Sequence, residues 1–308
     1  MNTSVPEYIQ FFPTLECNLH CGFCFNRGLK IDGAITAGGF EKLVRKLVDS
    51  GIREIDILGG EPTLHPDIAR LVDIAANLGL RLNLSTNGTN VALLANLSET
   101  YGKDILHIGI SLNSNSMTRE LEDYISKYRP VLKSIYNRTS IPRPSDICSG
   151  TPGITYYLLY MDTVTEYDLT ESLPFHDFFK RLSVFREKHP NISGVYCGGF
   201  LPDPENNPLL KNVRCPAGTT KLSILPDGSV YPCYLLFRHH EFMLGNIFTD
   251  RFDVIWNKPA LDYFRTFKGN KCPDTECDLF SECHGGCPAV SLLISNDINA
   301  PDPRCIRQ

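Results

Sequence analysis

Three cysteines stand close together near the start of the chain, in the run Cys17-Asn-Leu-His-Cys21-Gly-Phe-Cys24. Thiolates are soft ligands that select zinc, copper(I) or iron–sulfur clusters. A structural zinc site uses four protein ligands, and His20 is the only nearby candidate for the fourth position. Three thiolates without an obvious fourth ligand suit a cubane cluster with one open iron, and a zinc knuckle or buried thiols are the alternatives.

A second set of cysteines lies in the last third of the chain, and its members are Cys215, Cys233, Cys272, Cys277, Cys283, Cys287 and Cys305. Taken alone, such a set predicts structural zinc sites. The region has few apolar residues with which to build a core, and small units of this kind often depend on metal. We therefore expect a separate, metal-dependent domain over residues 202–308.

Composition narrows the classes of protein that fit. The 308 residues include 30 basic and 35 acidic side chains, and this net charge of −5 predicts no general affinity for nucleic acid or anionic lipid. No stretch has the apolar length of a signal peptide or a membrane-spanning helix. Disulfides rarely persist in the cytoplasm, where we expect this protein, so its twelve cysteines are predicted to be metal ligands, reactive thiols or buried thiols.

Strands and helices alternate over residues 1–201 and must position these groups. Apolar runs predict six strands, at 8–15, 54–58, 81–86, 105–112, 154–160 and 194–200. Helical spacing of apolar residues predicts helices within 40–50, 68–78, 117–136 and 174–188, the third of them interrupted by Pro130. This order predicts an α/β fold with a parallel sheet, open or curled into a partial barrel. Ligands gather at the carboxyl ends of strands in such folds, and the polar and glycine motifs of this chain follow strands.

The CxxxCxxC spacing, with an aromatic residue before its last cysteine, resembles the signature of radical S-adenosylmethionine (SAM) enzymes. Gly59-Gly60-Glu61-Pro62, after the second predicted strand, looks like the family's GGE motif, which holds the methionine amino group. The resemblance implies a partial (β/α)6 barrel over residues 1–201 and a [4Fe–4S] cluster on the three cysteines. It also implies SAM contacts at Phe25, Gly59, Gly60, Glu61, Pro62, Ser85, Asn87, Ser111 and Asn113.

The second cysteine set resembles the SPASM domain, a small cysteine-rich α+β extension that holds two auxiliary [4Fe–4S] clusters. Its pattern is matched by Cys277-x5-Cys283-x3-Cys287, while the gap between Cys272 and Cys277 is longer than usual. The resemblance implies that auxiliary cluster I is bound by Cys215, Cys233 and Cys287. It implies that auxiliary cluster II is bound by Cys272, Cys277, Cys283 and Cys305. Together with the first cluster, we expect three [4Fe–4S] clusters.

The resemblance implies an enzyme in which a reduced cluster cleaves SAM to a 5′-deoxyadenosyl radical, which abstracts a hydrogen atom from substrate. A peptide or protein side chain is the expected substrate, to be oxidised, cross-linked or epimerised. The second hypothesis is a dehydrogenase or epimerase of small metabolites such as amino sugars or cyclitols. The third is an iron–sulfur electron carrier or scaffold without turnover, and the intact SAM motifs argue against it.

The expected partners follow from the same resemblance. An electron donor such as flavodoxin or ferredoxin is implied, whereas nucleic acid and membranes are not. Only sixteen residues precede Cys17, so we expect no leader-binding domain ahead of the barrel. A peptide substrate would then be recognised by a separate leader-peptide-binding protein or by direct docking in the cavity.

Two residues near strand ends are candidates for catalysis. Cys197 shares a strand face with Gly199 and is a candidate hydrogen donor or further ligand of auxiliary cluster I, with a buried thiol as the alternative. Asp162 follows the fifth predicted strand and is a candidate proton acceptor or a solvated loop residue. Tyr156 and Tyr160 share a face of that strand, and we expect them to pack in the barrel, with cavity lining as the alternative.

Overall fold

The computed structural model describes residues 5–31, 33–113, 117–140, 151, 153–195, 215–269, 272, 274, 276–280 and 285–305. These residues form two compact units. The first contains the described residues of 5–20, 26–108 and 215–267, and the second contains those of 21–25, 109–195 and 268–305. Within the described ranges, no helix combines the length and the apolar character needed to cross a membrane.

The described residues form a mixed α/β fold, which confirms the predicted fold class. Strands β1 to β10 span Tyr8–Phe11, Glu54–Ile57, Arg81–Thr86, Leu106–Ser111, Val131–Tyr136, Tyr156–Tyr160, Ile192–Val195, Lys221–Ile224, Ser229–Tyr231 and Gly245–Asn246. Helices α1 to α9 span Ala37–Asp49, Ile68–Asn77, Val91–Thr100, Arg119–Tyr128, Glu166–Glu171, Phe175–Lys188, Phe252–Trp256, Asp262–Thr266 and Pro288–Ser295.

The first unit is built on strands in the order β10-β9-β8-β1-β2-β3. Strand β1 is parallel to both of its neighbours, β2 and β8, and only the β8–β9 and β9–β10 pairs are antiparallel. One face of these strands is apolar and packs on helices, as shown by the 5.3 Å between the ring centroids of Phe11 and Phe40 in α1. Parallel pairing brings the carboxyl ends of β1, β2 and β3 to the same edge.

The opposite face of the same strands carries a buried row of polar side chains. The strand register places Gln10 beside Asp56 and Ser223, and Asp56 beside Asn83. The Asn83 amide donates to the Asp56 carboxylate at 2.6 Å, and the Ser223 hydroxyl donates to Gln10 at 3.2 Å. Because buried polar groups are costly without partners, these bonds help to fix the register of the strands.

The second unit contains the end of β4 and then β5, β6 and β7, all parallel. Its core confirms that Tyr160 packs against a helix, because its ring lies 4.7 Å from Phe175 and 4.9 Å from Phe178 in α6. The Tyr156 hydroxyl is buried and shares a 2.6 Å hydrogen bond with Ser134. Both tyrosines therefore pack inside the protein.

The helix predicted over 117–136 is wrong in its second half. Helix α4 ends at Tyr128, Arg129 has a left-handed φ of 51°, and residues 131–136 form β5. Pro130 explains this end, because proline has no N–H to donate and disfavours the helical conformation of the residue before it. The sixth predicted strand is present as β7 only over Ile192–Val195, and its remainder lies outside the described residues, as does the expected domain boundary.

Candidate functional site

The turn after β2 lies against the segment that leads into the first cysteine cluster. The backbone N–H of Gly60 donates to the carbonyl of Thr14 at 3.0 Å, and that of Glu61 donates to Glu16 at 2.7 Å. A Cβ atom on Gly60 would lie 2.2 Å from the Glu16 carbonyl oxygen, and one on Gly59, whose φ is +142°, would lie 2.6 Å from that of Thr14. Both glycines are therefore required by this close backbone approach.

Glu61 connects the carboxyl ends of β2 and β3. Its side chain is 1% exposed, and its Oε1 accepts hydrogen bonds from the Thr63 N–H at 3.0 Å, the Thr63 hydroxyl at 2.6 Å and the Thr86 hydroxyl at 2.7 Å. Its Oε2 accepts from the Asn87 N–H at 2.6 Å. Because hydrogen bonds to an ionised acceptor are strong, this carboxylate fixes the turn 59–62 to the end of β3.

Asn87 continues this network to the cysteine segment. Its amide donates to Asn18 Oδ1 at 2.8 Å, and the Asn18 amide donates to Thr89 at 3.0 Å. Asn26 makes a similar connection two residues after Cys24, since its amide donates to the Gly59 carbonyl at 2.8 Å. Its Oδ1 is buried and accepts no hydrogen bond from the described residues. This free acceptor fits a bound molecule that carries an N–H donor.

None of the three cysteines of the first cluster is in a disulfide, and each is of intermediate exposure. Cys17 Sγ accepts a 3.4 Å hydrogen bond from the Leu19 N–H, and the Cys24 N–H donates to the Cys21 carbonyl at 3.1 Å. No group of three or more His, Cys, Asp or Glu side chains in the described residues is arranged to hold a metal ion. The donor set of three thiols in one short loop nevertheless fits an iron–sulfur cluster.

Six cysteines of the second set are described, and all six are of intermediate exposure and outside any disulfide. Cys233 precedes a 3₁₀ turn over Tyr234–Arg238, and Cys287 is the N-cap residue of α9. Cys283 lies outside the described residues. These thiols have the chemistry required of cluster ligands, while their grouping into two clusters remains a prediction.

The other predicted SAM contacts lie at ends of elements. Ser85 and Ser111 are half-buried near the ends of β3 and β4, Pro62 opens a 3₁₀ turn, and Phe25 is half-buried next to Cys24. Asn113 has a structural partner, because its Oδ1 accepts from the Ile135 N–H at 2.6 Å. The sequence prediction missed this bond because it placed Ile135 in a helix.

Of the two predicted catalytic residues, Asp162 lies in the described part of the chain and Cys197 does not. Asp162 follows β6 and is 8% exposed, so it is not a solvated loop residue. Four residues that support the site were missed, namely Asn18, Asn26, Thr63 and Thr86. Of these, only Thr63 has a partner close in sequence, since it donates to Glu61 two residues before it.

Comparison with protein families gives two matches on separate parts of the chain. Residues 11–156 match the model of the radical SAM superfamily. Residues 215–288 match the model of the SPASM iron–sulfur cluster-binding domain. The first match contains the cysteine loop, the turn 59–62 and the ends of β3 and β4. The second contains six of the seven cysteines of the second set, from Cys215 to Cys287.

Similar proteins extend over almost the whole chain. The mycofactocin maturase MftC of Mycobacterium ulcerans is 24% identical, over 100% of this chain and 93% of that protein. The PqqA peptide cyclase of Methylobacterium sp. strain 4-46 is 22% identical, over 95% of this chain and 84% of that protein.

Two solved structures share the fold. Streptococcus suis SuiB bound to S-adenosylmethionine has a TM-score of 0.71 and 22% identity, covering 99% of this chain and 77% of that one. Native anSMEcpe with bound AdoMet and Cp18Cys peptide has a TM-score of 0.68 and 19% identity, covering 97% of this chain and 93% of that one.

The fold, the cysteine loop and the glycine turn thus define a class of enzyme that performs radical chemistry. The chain belongs to the radical SAM superfamily, in the subgroup that carries a SPASM domain. Its cofactors are S-adenosylmethionine and iron–sulfur clusters.

Proposed function

We propose that this enzyme modifies a peptide or protein side chain by oxidation, cross-linking or epimerisation. The observation that carries the proposal is the similarity over almost the full chain to a mycofactocin maturase and a PqqA peptide cyclase. Two solved structures with the same fold contain peptides. One is SuiB bound to the precursor peptide SuiA, and the other is anSMEcpe with the Cp18Cys peptide. The peptide hypothesis is thereby favoured over small metabolites.

The first cluster in this proposal is held by Cys17, Cys21 and Cys24. When bound, the cluster and SAM supply abstraction of a hydrogen atom from substrate. The turn 59–62 and Asn87 orient SAM. Because Glu61 binds Thr86 and the Asn87 backbone, these binding groups are positioned before the cofactor arrives, which lowers the cost of ordering them on binding.

The second set holds two auxiliary clusters in the SPASM domain, which we place at residues 202–308. Cluster I takes Cys215, Cys233 and Cys287, and cluster II takes Cys272, Cys277, Cys283 and Cys305. The absence of disulfides among the described cysteines supports this assignment. It also supports a cytoplasmic location, because disulfides are rare there. An electron donor such as flavodoxin or ferredoxin completes the proposed system, and the peptide is recognised by a separate leader-binding protein or by direct docking in the cavity.

Asp162 is the proposed proton acceptor. Its burial after the carboxyl end of β6 supports this role, because ligands gather at the carboxyl ends of parallel strands in such folds. Cys197 is proposed as a hydrogen donor or as a further ligand of cluster I. Substitution of each by alanine or asparagine, followed by separate assays of iron content, 5′-deoxyadenosine and product, distinguishes these roles.

The function is tested by anaerobic reconstitution with SAM, a reductant and two panels of compounds. One panel contains synthetic peptides encoded by small open reading frames beside the gene, and the other contains amino sugars and cyclitols. Mass spectrometry should detect loss of two hydrogen atoms, or deuterium uptake from heavy water, in a peptide. Deuterium placed on the reacting carbon should appear in 5′-deoxyadenosine. Transfer of deuterium to 5′-deoxyadenosine from an amino sugar or cyclitol, with no transfer from any peptide, would contradict the proposal.

A further inference from the structure

A buried ion pair joins the end of the chain to strand β6. Asp302 and Arg304 are 2% and 4% exposed. Arg304 donates from Nε to Asp302 Oδ1 at 3.0 Å and from Nη2 to Oδ2 at 2.7 Å, and its Nη1 donates to the Met161 carbonyl at 2.8 Å. The guanidinium also lies over the rings of Tyr160 and Phe175, at 4.6 and 5.2 Å from their centroids. Each of the three guanidinium nitrogens therefore has a hydrogen-bond acceptor in the second unit.

Asp302 also holds the backbone beside two cysteines. Its Oδ2 accepts a 2.8 Å hydrogen bond from the Cys287 N–H, and its backbone carbonyl accepts from the Cys305 N–H at 3.0 Å. Gly286 has a φ of +90°, and a Cβ atom there would lie 2.1 Å from Asp302 Cβ. Only glycine allows the chain before Cys287 to approach Asp302 so closely.

The stability of the fold does not by itself require an ion pair here. Replacing both members of a buried pair by apolar side chains of similar volume is often neutral for stability, whereas removing one member leaves a costly buried charge. An apolar pair could not make the directional hydrogen bonds found here. These are the bond from the Cys287 N–H to Asp302, the two bonds between Arg304 and Asp302, and the bond from Arg304 to the Met161 carbonyl. These bonds set where Cys287 and Cys305 stand.

We propose that Asp302 and Arg304 are positioning residues for the auxiliary clusters. Asp302 orients Cys287, assigned to cluster I, and Arg304 fixes the segment that carries Cys305, assigned to cluster II, to the end of β6. The inference rests on the cluster assignment under the proposed function. Outer-shell partners of metal ligands commonly change metal affinity about 10- to 100-fold when mutated, so an effect of that order is expected here.

The test removes the directional bonds without leaving a buried charge. The double variant Asp302→Leu with Arg304→Met and the single variant Arg304→Lys are made in a background in which only auxiliary clusters assemble, with alanine at Cys17, Cys21 and Cys24. The surface pair Arg251 and Asp253 is a matched control, because it has the same two-bond geometry and side chains that are 81% and 57% exposed. Its double variant is Arg251→Met with Asp253→Leu.

Three readouts are compared: iron and sulfide per chain, the rate of iron loss to a chelator, and the electron paramagnetic resonance spectrum after reduction. We expect the double variant at residues 302 and 304 to lose auxiliary iron about tenfold faster or more, with an altered spectrum. Arg304→Lys keeps the positive charge but cannot make the two parallel bonds to Asp302. It should therefore retain more iron than the double variant, while its spectrum should still differ from that of the parent protein. The control pair should behave like the parent protein.

Two results are kept distinct by this design. Full auxiliary iron and an unchanged spectrum in the double variant, or in Arg304→Lys if the double variant does not fold, would overturn the positioning role alone. Absence of auxiliary iron from the parent protein would overturn the cluster assignment, and with it this inference.

Discussion

Replacing Glu61 by glutamine should disconnect the ends of β2 and β3. The carboxylate accepts three hydrogen bonds at Oε1, from the two donors of Thr63 and from Thr86, and one at Oε2, from the Asn87 N–H. Glutamine has one oxygen, which remains where three donors converge. Its amide nitrogen then faces the Asn87 N–H, which loses its acceptor.

The magnitude follows from these contacts. A hydrogen bond to a charged group contributes about 1.5–3 kcal/mol, and a stranded buried donor costs about 1–3 kcal/mol. We therefore expect Glu61→Gln to lower the free energy of unfolding by about 3–5 kcal/mol, a large part of the ~5–15 kcal/mol typical of a native protein. The control Glu41→Gln replaces the exposed carboxylate that accepts from Arg45 by a neutral amide, and it should cost less than about 1 kcal/mol.

Denaturant unfolding and hydrogen exchange, both on iron-free protein, measure the two parts of this expectation. The unfolding midpoint should fall in Glu61→Gln and stay near that of the wild type in Glu41→Gln. The Asn87 amide should exchange at least about 100-fold faster, since each tenfold corresponds to about 1.4 kcal/mol. An unchanged midpoint together with a protected Asn87 amide would refute the assignment of Glu61 as the connection between the strands.

The other predictions concern the glycine turn and the cysteines. Gly60→Ala should lower the thermal unfolding midpoint and the affinity for SAM, because its Cβ would stand 2.2 Å from the Glu16 carbonyl oxygen. The control Gly22→Ala has open space around its Cβ and should leave the midpoint unchanged. Equal midpoints for the two variants would contradict the close-approach argument. Reconstituted protein should contain about twelve iron atoms, if each of three cubanes holds four, and about four with stoichiometric zinc would instead indicate structural zinc in the second set. Alanine at the three cysteines of the first cluster should abolish 5′-deoxyadenosine formation and leave the auxiliary iron; cleavage at the wild-type rate would contradict the assignment. Cys197→Ala should lower either cluster iron or product formation, and a variant unchanged in both would exclude the two functional roles.

Features that depend on short sequence spacing could be predicted. The distances between Cys17, Cys21 and Cys24 are set by the covalent chain, and the glycine turn follows a strand that its apolar residues already identify. The same is true of β3, whose apolar residues form a short local pattern. The class of enzyme and the parallel sheet could therefore be inferred from the sequence.

Prediction from the sequence fails where the local propensity of a segment differs from the structure that tertiary pairing imposes on it. Residues 131–136 have a spacing that can extend a helix, but they form a strand that pairs with β4 on one side and with β6 on the other. The placement of Ile135 in β5 in turn gives Asn113 its partner. One incorrect element thus concealed a contact of a predicted site residue.

Sequence by itself determined which residues carry the chemistry, since thiols and glycines are specified by type and spacing. Tertiary structure alone decided what holds them in place. Two of the three partners of Glu61, Thr86 and Asn87, stand 25 and 26 residues beyond it, and Asp302 stands 15 residues beyond Cys287. Strand register and the path of the folded chain determine which residues become such partners. The sequence spacing of those residues specifies neither the register nor the path.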